Sequence, residues 1–408
     1  MPETPGPGTY VAETGATPPS ADMAPTSIAA FIGYTQRAGP GGSDLTGRPT
    51  RINGLLEFEN HFGGSCPVAA PANRASRFIL HDSLRLFFDN GGDSCWIVSI
   101  GGFTDPALPA LPRAKTVADF KQGIACLKRR HGVGVLAIPD AVLLPGAGKW
   151  GRVMRAALRS AAKKGFFVII DVYGGNKPLG GARDPIDGPR GLRALIHGRG
   201  RGFGAAYYPW LLPAGASDPM PPSGAIAGVF ARTDAARGVW KAPANVEILG
   251  AGGPGAAITT TQQDGLNAPA DGKAVNALRV FSGKGFLVWG ARTLDSNSGE
   301  YRYVPVRRTM IMLKRSLSLA LKPCAFEPND AATWSRVEAM AGEFLTGLWR
   351  QGALVGARPG DAFFVACGLG RTMTRTDVSN GILRLEIGVA LTRPAEFITL
   401  RLKQKTLG

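Results

Sequence analysis

The clearest alternation of apolar and polar positions lies in the last quarter of the chain. Apolar residues fall at Trp334, Val337, Ala341, Phe344, Leu345 and Leu348, while Arg336, Glu338, Glu343 and Arg350 take the other faces. This is the period of an amphipathic helix. Asn329 or Asp330 stands where an N-cap is needed, and Gly352 and Gly356 stand where the helix must close. Over residues 382–391 the period drops to two, with Leu383, Leu385, Ile387, Val389 and Leu391 alternating with Arg384, Glu386 and Gly388. That predicts a strand with one buried face, and no partner for it is evident. Beyond Arg393-Pro394 a second alternation sets Ile398, Leu400 and Leu402 against Thr399, Arg401 and Lys403. A strand there either packs on its own sheet or is donated to another molecule; the proline at the break favours donation only mildly.

Upstream, residues 1–22 are rich in Pro, Gly and Thr, with one short strand-like piece at 9–13. Residues 27–33 and 95–100 read as buried strands, 55–61 as a short helix, and 77–88 as a longer one with Phe78, Leu80, Leu84 and Phe87 or Phe88 inward. After a linker at 107–112 the pattern alternates: helix 117–130, strand 133–138, helix 149–164, strand 166–171. Such alternation implies parallel strands joined by crossover helices, an α/β fold. Residues 173–204 read as loop, 207–222 as a Pro-rich stretch and 225–234 as an ordered block. Strands follow at 275–280, 286–289 and 301–306, then a helix at 308–321.

The length of 408 residues exceeds what one core usually organises, so two or three domains are expected. The 56 glycines and 31 prolines imply short, well separated elements. Five scattered cysteines without a C-x-x-C pair suit reduced, buried thiols. The opening residues lack a basic and an apolar signal region, and no apolar run reaches the roughly 18 residues of a membrane span. A soluble protein made in the cytoplasm is therefore expected. The net charge of +17 fits nucleic acid, an acidic membrane surface or an acidic protein, and does not choose among them.

Candidate chemistry is thin. Gly250-Ala-Gly-Gly-Pro-Gly255 matches G-x-G-x-x-G, but Pro254 and the threonine run at 259–261 argue for a turn and not for a helix start that could hold a pyrophosphate. Gly146-Ala-Gly-Lys149 reads as a loop, since it lacks the first P-loop glycine and carries Trp150 in place of Ser or Thr. Asp171 ends an apolar strand and reads as a surface residue. His61, His81, His131 and His197 have no metal spacing, and no nucleophile motif appears. Arg152, Arg155, Arg159 and Lys163 form a positive stripe opposite Val153, Met154, Leu158 and Ala162, read as a solvated face. His197-Gly-Arg-Gly-Arg-Gly-Phe-Gly204 is similar to an Arg-Gly nucleic-acid segment, in one short copy. Catalytic, cofactor and metal residues are expected to be none.

Taken in order, the chain resembles the contractile tail sheath proteins of phage tails, R-type bacteriocins and extracellular contractile injection systems. The likeness runs from Pro7-Gly-Thr-Tyr-Val-Ala-Glu13 through Pro25-Thr-Ser-Ile-Ala-Ala-Phe-Ile-Gly33, Phe87-Phe-Asp-Asn-Gly-Gly92, Ala137-Ile-Pro-Asp140 and Ala231-Arg-Thr-Asp234. It is strongest at Val288-Trp-Gly-Ala-Arg-Thr-Leu294, Tyr303-Val-Pro-Val-Arg-Arg308, Phe326-Glu-Pro-Asn-Asp330, Leu348-Trp-Arg-Gln-Gly-Ala-Leu354 and Arg393-Pro-Ala-Glu-Phe397. Gly368-Leu-Gly-Arg-Thr-Met-Thr374 with Asp377 is most similar to the extracellular injection systems.

The resemblance implies an α/β, multi-domain protomer with mixed sheets flanked by helices, and a middle domain of subtilisin-like shape without a protease triad. It divides the chain into a linking arm at 1–22, an N-terminal region at 23–101, the middle domain at 102–289, a tube-facing domain at 290–391 and a second arm at 392–408. It assigns inter-subunit strand exchange to Thr9, Tyr10, Val11 and Glu13 and to Phe397, Ile398, Leu400 and Leu402, with flexing near Gly6 to Gly8 and Arg393-Pro394. It assigns tube contact to Trp349, Arg350 and Gln351. The implied partners are other copies in a helical sheath, an inner tube protein, and baseplate and terminal cap proteins, with neither nucleic acid nor membrane insertion. A basic nucleic-acid-binding protein is the rival reading, and a nucleotide-using enzyme comes third.

Overall fold

The computed structural model describes residues 21–39, 44–66, 77–104, 113–128, 132–181 and 183–396. These form a body, Ala24–Leu313 with the returning chain from Leu391, and a smaller unit containing Lys314–Ala390. Along the body run β1 (Ala29–Thr35), β2 (Thr50–Ile52), α1 (Leu55–Phe62), α2 (Leu80–Asp89), β3 (Cys95–Gly102), α3 (Val117–Cys126), β4 (Val135–Ala137), α4 (Ala147–Lys164) and β5 (Phe167–Asp171). Then come α5 (Leu192–Leu195), β6 (Gly204–Tyr208), β7 (Leu211–Pro213), α6 (Ser223–Arg237), β8 (Val246–Glu247), β9 (Ala251–Pro254), α7 (Thr260–Asn267), β10 (Val275–Phe281) and β11 (Gly285–Trp289). The chain leaves the body within α8 (Val304–Ala320), and the C-terminal unit adds α9 (Ala331–Arg350), α10 (Pro359–Ala362), β12 (Phe363–Cys367), α11 (Arg375–Ser379) and β13 (Leu385–Val389).

The body is organised by a nine-stranded mixed sheet in the order β2-β3-β1-β4-β5-β6-β10-β11-β8. Its middle, from β3 to β10, is parallel, and β2, β11 and β8 run antiparallel at the margins. β1, β4, β5 and β6 are buried along their whole length, as strands covered on both faces must be, so they read as apolar runs and not as alternations. One core gathers Phe120 of α3 and Trp150, Met154 and Leu158 of α4; the other gathers Phe58 and Phe62 of α1, Leu84 and Phe87 of α2 and Phe230 of α6. α6 is buried from Ser223 through Ala231, and its glycines let α2 approach: a Cβ on Gly224 would sit 2.0 Å from the Ser83 carbonyl oxygen.

The α/β alternation and most elements stand where the sequence puts them, with several corrections. Residues 301–306 are not a strand: α8 starts at Val304, and Pro305 near its first turn has no N–H that a helix would miss. The stretch read as loop and Pro-rich chain contains β6, a strand inside the parallel sheet. The Gly250 to Gly255 segment is largely β9, paired with β7, and a helix does follow it, with its first turn engaged by the Thr259 and Gln262 capping box. α4 begins at Ala147, so most of the Gly146 to Lys149 segment read as loop is helix, and Ala162 of that helix is exposed, its buried place being taken by Ala157 and Ala161. Asp171 is buried, because its carboxylate accepts the Ser223 N–H at the start of α6 at 2.8 Å.

Candidate inter-subunit sites

In the C-terminal unit Asp330 caps α9 by accepting the Thr333 N–H at 2.9 Å, and the helix buries Val337, Met340, Ala341, Leu345 and Leu348. The strand expected at 382–391 is β13, confined to Leu385–Val389 and without the fully buried face expected of it, and its partner is β12, which shows no such alternation. The two pair antiparallel from Phe363 opposite Val389 to Cys367 opposite Leu385, and among the described residues no third strand joins them. Phe364 is 55% exposed, and a Cβ on Gly388 would meet its ring at 2.1 Å. Leu319, Phe326, Val355, Leu369 and Ile382 of the same unit are also exposed.

Of the expected tube contacts, Trp349 is half-buried and donates from Nε1 to the Gly356 carbonyl at 2.9 Å, while Arg350 and Gln351 are exposed at the end of α9. Four other arginines of the unit are matched by carboxylates, Arg336 with Glu327, Arg358 with Asp361, Arg371 with Glu338 and Arg384 with Asp377, while the exposed Arg375 is in none of these pairs. Arg350 has no ion pair among the described residues. Thr9, Tyr10, Val11, Glu13, Phe397, Ile398, Leu400 and Leu402 lie outside the described residues, as do His131 and the linker at 107–112.

A second site forms where the C-terminal segment returns to the body. Glu396 accepts from Arg292 Nε at 2.9 and 3.0 Å and Nη2 at 2.6 Å, from Asn267 Nδ2 at 2.9 Å and from Tyr303 Oη at 3.3 Å. Burial would raise its pKa, but the hydrogen bonds from Arg292 and Asn267 outweigh that and hold it below the usual carboxyl range. Both residues sit inside motifs quoted above, 104 positions apart, and nothing in the sequence pairs them.

Elsewhere the body uses charge as internal structure. Arg308 grips Asp234 with both Nη atoms, at 2.8 and 2.6 Å, donates to the Thr26 carbonyl and lies over the Phe230 ring. Asp140 accepts the N–H groups of Tyr34 and Ile79, each at 2.8 Å. Burial pushes Asp140 up to about 6 and Asp171 to about 7. A cleft of about 640 Å³ opens at the carboxyl ends of β4 to β6, lined by Arg77, Tyr173, Lys177, Asp184, Arg190 and Trp210. Arg152 and Arg159 are exposed, and Arg155 donates to the Leu195 carbonyl. Cys66, Cys126 and Cys324 are only partly buried, unlike Cys95 and Cys367. Among the described residues no group of three His, Cys, Asp or Glu side chains could hold a metal, and no helix is long and apolar enough to cross a membrane.

The chain thus has a mixed α/β body and a smaller unit whose described residues form a two-stranded sheet. The family models described as phage tail sheath protein central domain and phage tail sheath C-terminal domain match residues 195–294 and 296–405. The helical sheath of the anti-feeding prophage in its contracted state is 32% identical and superposes over 99% of this chain and 100% of that one, with a TM-score of 0.73. The contracted sheath complex of the extracellular contractile injection system PVC is 29% identical over 99% of both chains, with a TM-score of 0.72. The tail sheath protein of Vibrio phage KVP40 is 29% identical over 132 residues, which span 32% of this chain and 19% of that relative's length. The chain belongs to the contractile tail sheath family.

Proposed function

We propose that the chain polymerises as a helical sheath around an inner tube, and that contraction of this lattice drives the tube through a target envelope. The observation that carries the reading is the β12–β13 pair, five residues long in each strand, with no third strand among the described residues and with Phe364 exposed on it. A sheet of two strands is marginal by itself and gains backbone hydrogen bonds when another chain adds a strand. The alternating segments at 9–13 and 396–404 of neighbouring copies are the donors. Each link supplies about four to six hydrogen bonds worth roughly 1 kcal/mol apiece, weak singly and strong when repeated through a lattice.

In this reading the arms are 1–22 and 392–408, the regions 23–101 and 102–289 slide as the body, and 290–391 faces the tube through Trp349, Arg350 and Gln351. Baseplate and terminal cap proteins complete the particle, which assembles in the cytoplasm. The subunit works mechanically, without catalysis or nucleotide hydrolysis of its own. Full-length protein is expected to form striated hollow cylinders by negative-stain electron microscopy, and a chain ending at Glu396 is expected to stay folded and form none. Normal cylinders from the shortened chain refute strand donation by the C-terminal tail.

A further inference from the structure

Two of the strongest family-like motifs, Val288-Trp-Gly-Ala-Arg-Thr-Leu294 and Arg393-Pro-Ala-Glu-Phe397, meet through one ion pair that the function proposed above does not use. Arg292 is 8% exposed in its side chain and Glu396 19%. Arg292 is itself held from three directions. Its N–H donates to Asn276 Oδ1 at 2.8 Å, its carbonyl accepts from Asn276 Nδ2 at 2.9 Å, and its Nη1 donates to the Asn267 carbonyl at 3.0 Å. The guanidinium fork is therefore set before Glu396 arrives, which is the condition for a rigid bidentate grip. Residues 392–396 form no helix or strand, so regular structure does not explain why the segment is held there.

We infer that Arg292 is the pivot of the C-terminal link: by clamping Glu396 to the body it makes the donated tail start at Phe397 and leave every copy from one point. This inference rests on strand donation by that tail. It moves the hinge from Arg393-Pro394 to a place beyond Glu396 and leaves a tether of twelve residues, 397–408. With the clamp open, the tether lengthens by as many as six residues, back to Leu391. Its extended reach then grows from about 40 to about 60 Å. Effective concentration falls roughly as the −3/2 power of tether length, so the strand is diluted about twofold at its acceptor. A pivot also fixes the direction of departure, which an equally long free tail does not.

The test uses the full-length chain with Glu396→Gln, Arg292→Glu and the exchanged pair Arg292→Glu with Glu396→Arg. Two quantities are read: amide exchange over residues 391–396 in the free subunit, and the critical concentration for cylinder formation. Glu396→Gln is expected to exchange faster and to raise the critical concentration about twofold. Arg292→Glu is expected to do more of both, and the exchanged pair to return both toward the parent. Should Arg292→Glu fail to fold, Glu396→Gln and Glu396→Ala decide, since they leave the residues of the body in place. Unchanged critical concentrations in folded variants overturn the pivot, whatever happens to melting temperature, provided that the chain ending at Glu396 forms no cylinders. If that shortened chain assembles normally, strand donation itself fails and the pivot falls with it.

Discussion

The body and the C-terminal unit treat their apolar surface in opposite ways. Among the described residues of Ala24–Leu313 the large apolar side chains left exposed are Leu56, Leu249 and Val280, whereas the much shorter Lys314–Ala390 exposes Leu319, Phe326, Val355, Phe364, Leu369 and Ile382. Their sheets differ in the same sense. The nine-stranded sheet ends in β2 and β8, of three and two residues, short edges that give another chain little to pair with. The β12–β13 pair offers five-residue strands and no closing neighbour among the described residues. The body's sheet is closed at both margins by short strands, and the two-stranded sheet is where the function proposed above puts an added strand.

The body's closure rests on buried charge, so the largest effect should come from leaving one such charge alone. Asp234→Ala strands Arg308 beneath Phe230 and Thr26, and is expected to lower the stability of the body by about 3 to 5 kcal/mol in urea denaturation. Adding Arg308→Met to Asp234→Leu, which removes the charge altogether, should recover much of that loss. A single mutant within about 1 kcal/mol of the parent would mean that the pair is not holding the body shut.

A smaller effect separates the regions by pH. Asp171 and Asp140 have pKa values raised by burial, so the folded body holds their protons more tightly than the unfolded chain does. Their contribution is fullest below about pH 4, where both states are protonated, and is lost as pH rises through about 6 for Asp140 and about 7 for Asp171. Asp171→Asn keeps an acceptor for the Ser223 N–H and cannot ionise. Its stability relative to the parent should therefore rise between pH 4 and 7, by up to a few kcal/mol, on top of any pH-independent cost at the unpartnered Oδ2 position. A difference that stays flat across that window rules out a titrating Asp171.

The regions also differ in how plainly their sequences declare them. α9 and β13 are half-exposed elements, so their periods of 3.6 and two are visible, and Asp330 announces its cap. β6, and α6 as far as Ala231, are buried all round and show no face, which is why the first passes for loop and the second only for an ordered block. β12 had a signal in its aromatic and β-branched run Phe363-Phe364-Val365, obscured by its small size. The Arg292 to Glu396 contact was out of reach, because a partner 104 residues away leaves no local pattern.

If the C-terminal unit is to be completed by another chain, its exposed apolar residues should matter to assembly more than to folding. Phe364→Glu is expected to change stability by less than about 1 kcal/mol, since the ring is more than half exposed, while raising the critical concentration for cylinders about tenfold. Cylinders at the parent's concentration would place the acceptor elsewhere.

The smallest effect on the subunit belongs to Arg350. Residues 314–390 carry nine Lys or Arg against seven Asp or Glu, so most of the chain's excess positive charge lies outside this unit and cannot hold a tube here by bulk attraction. Any electrostatic grip must be local, and Arg350 is exposed without an internal carboxylate where Arg336, Arg371 and Arg384 are matched. It also lies in the last turn of α9, where a cation favours the helix, so Arg350→Glu should cost about 0.3 to 1 kcal/mol by itself. Arg350→Gln removes the charge without reversing it and separates the two contributions. If Arg350 meets an acidic tube wall, co-assembly with the tube protein should weaken in the order parent, Gln, Glu, and more steeply at low salt, while the melting temperature moves little. Co-assembly indifferent to both substitutions would leave the end of α9 without a tube to face.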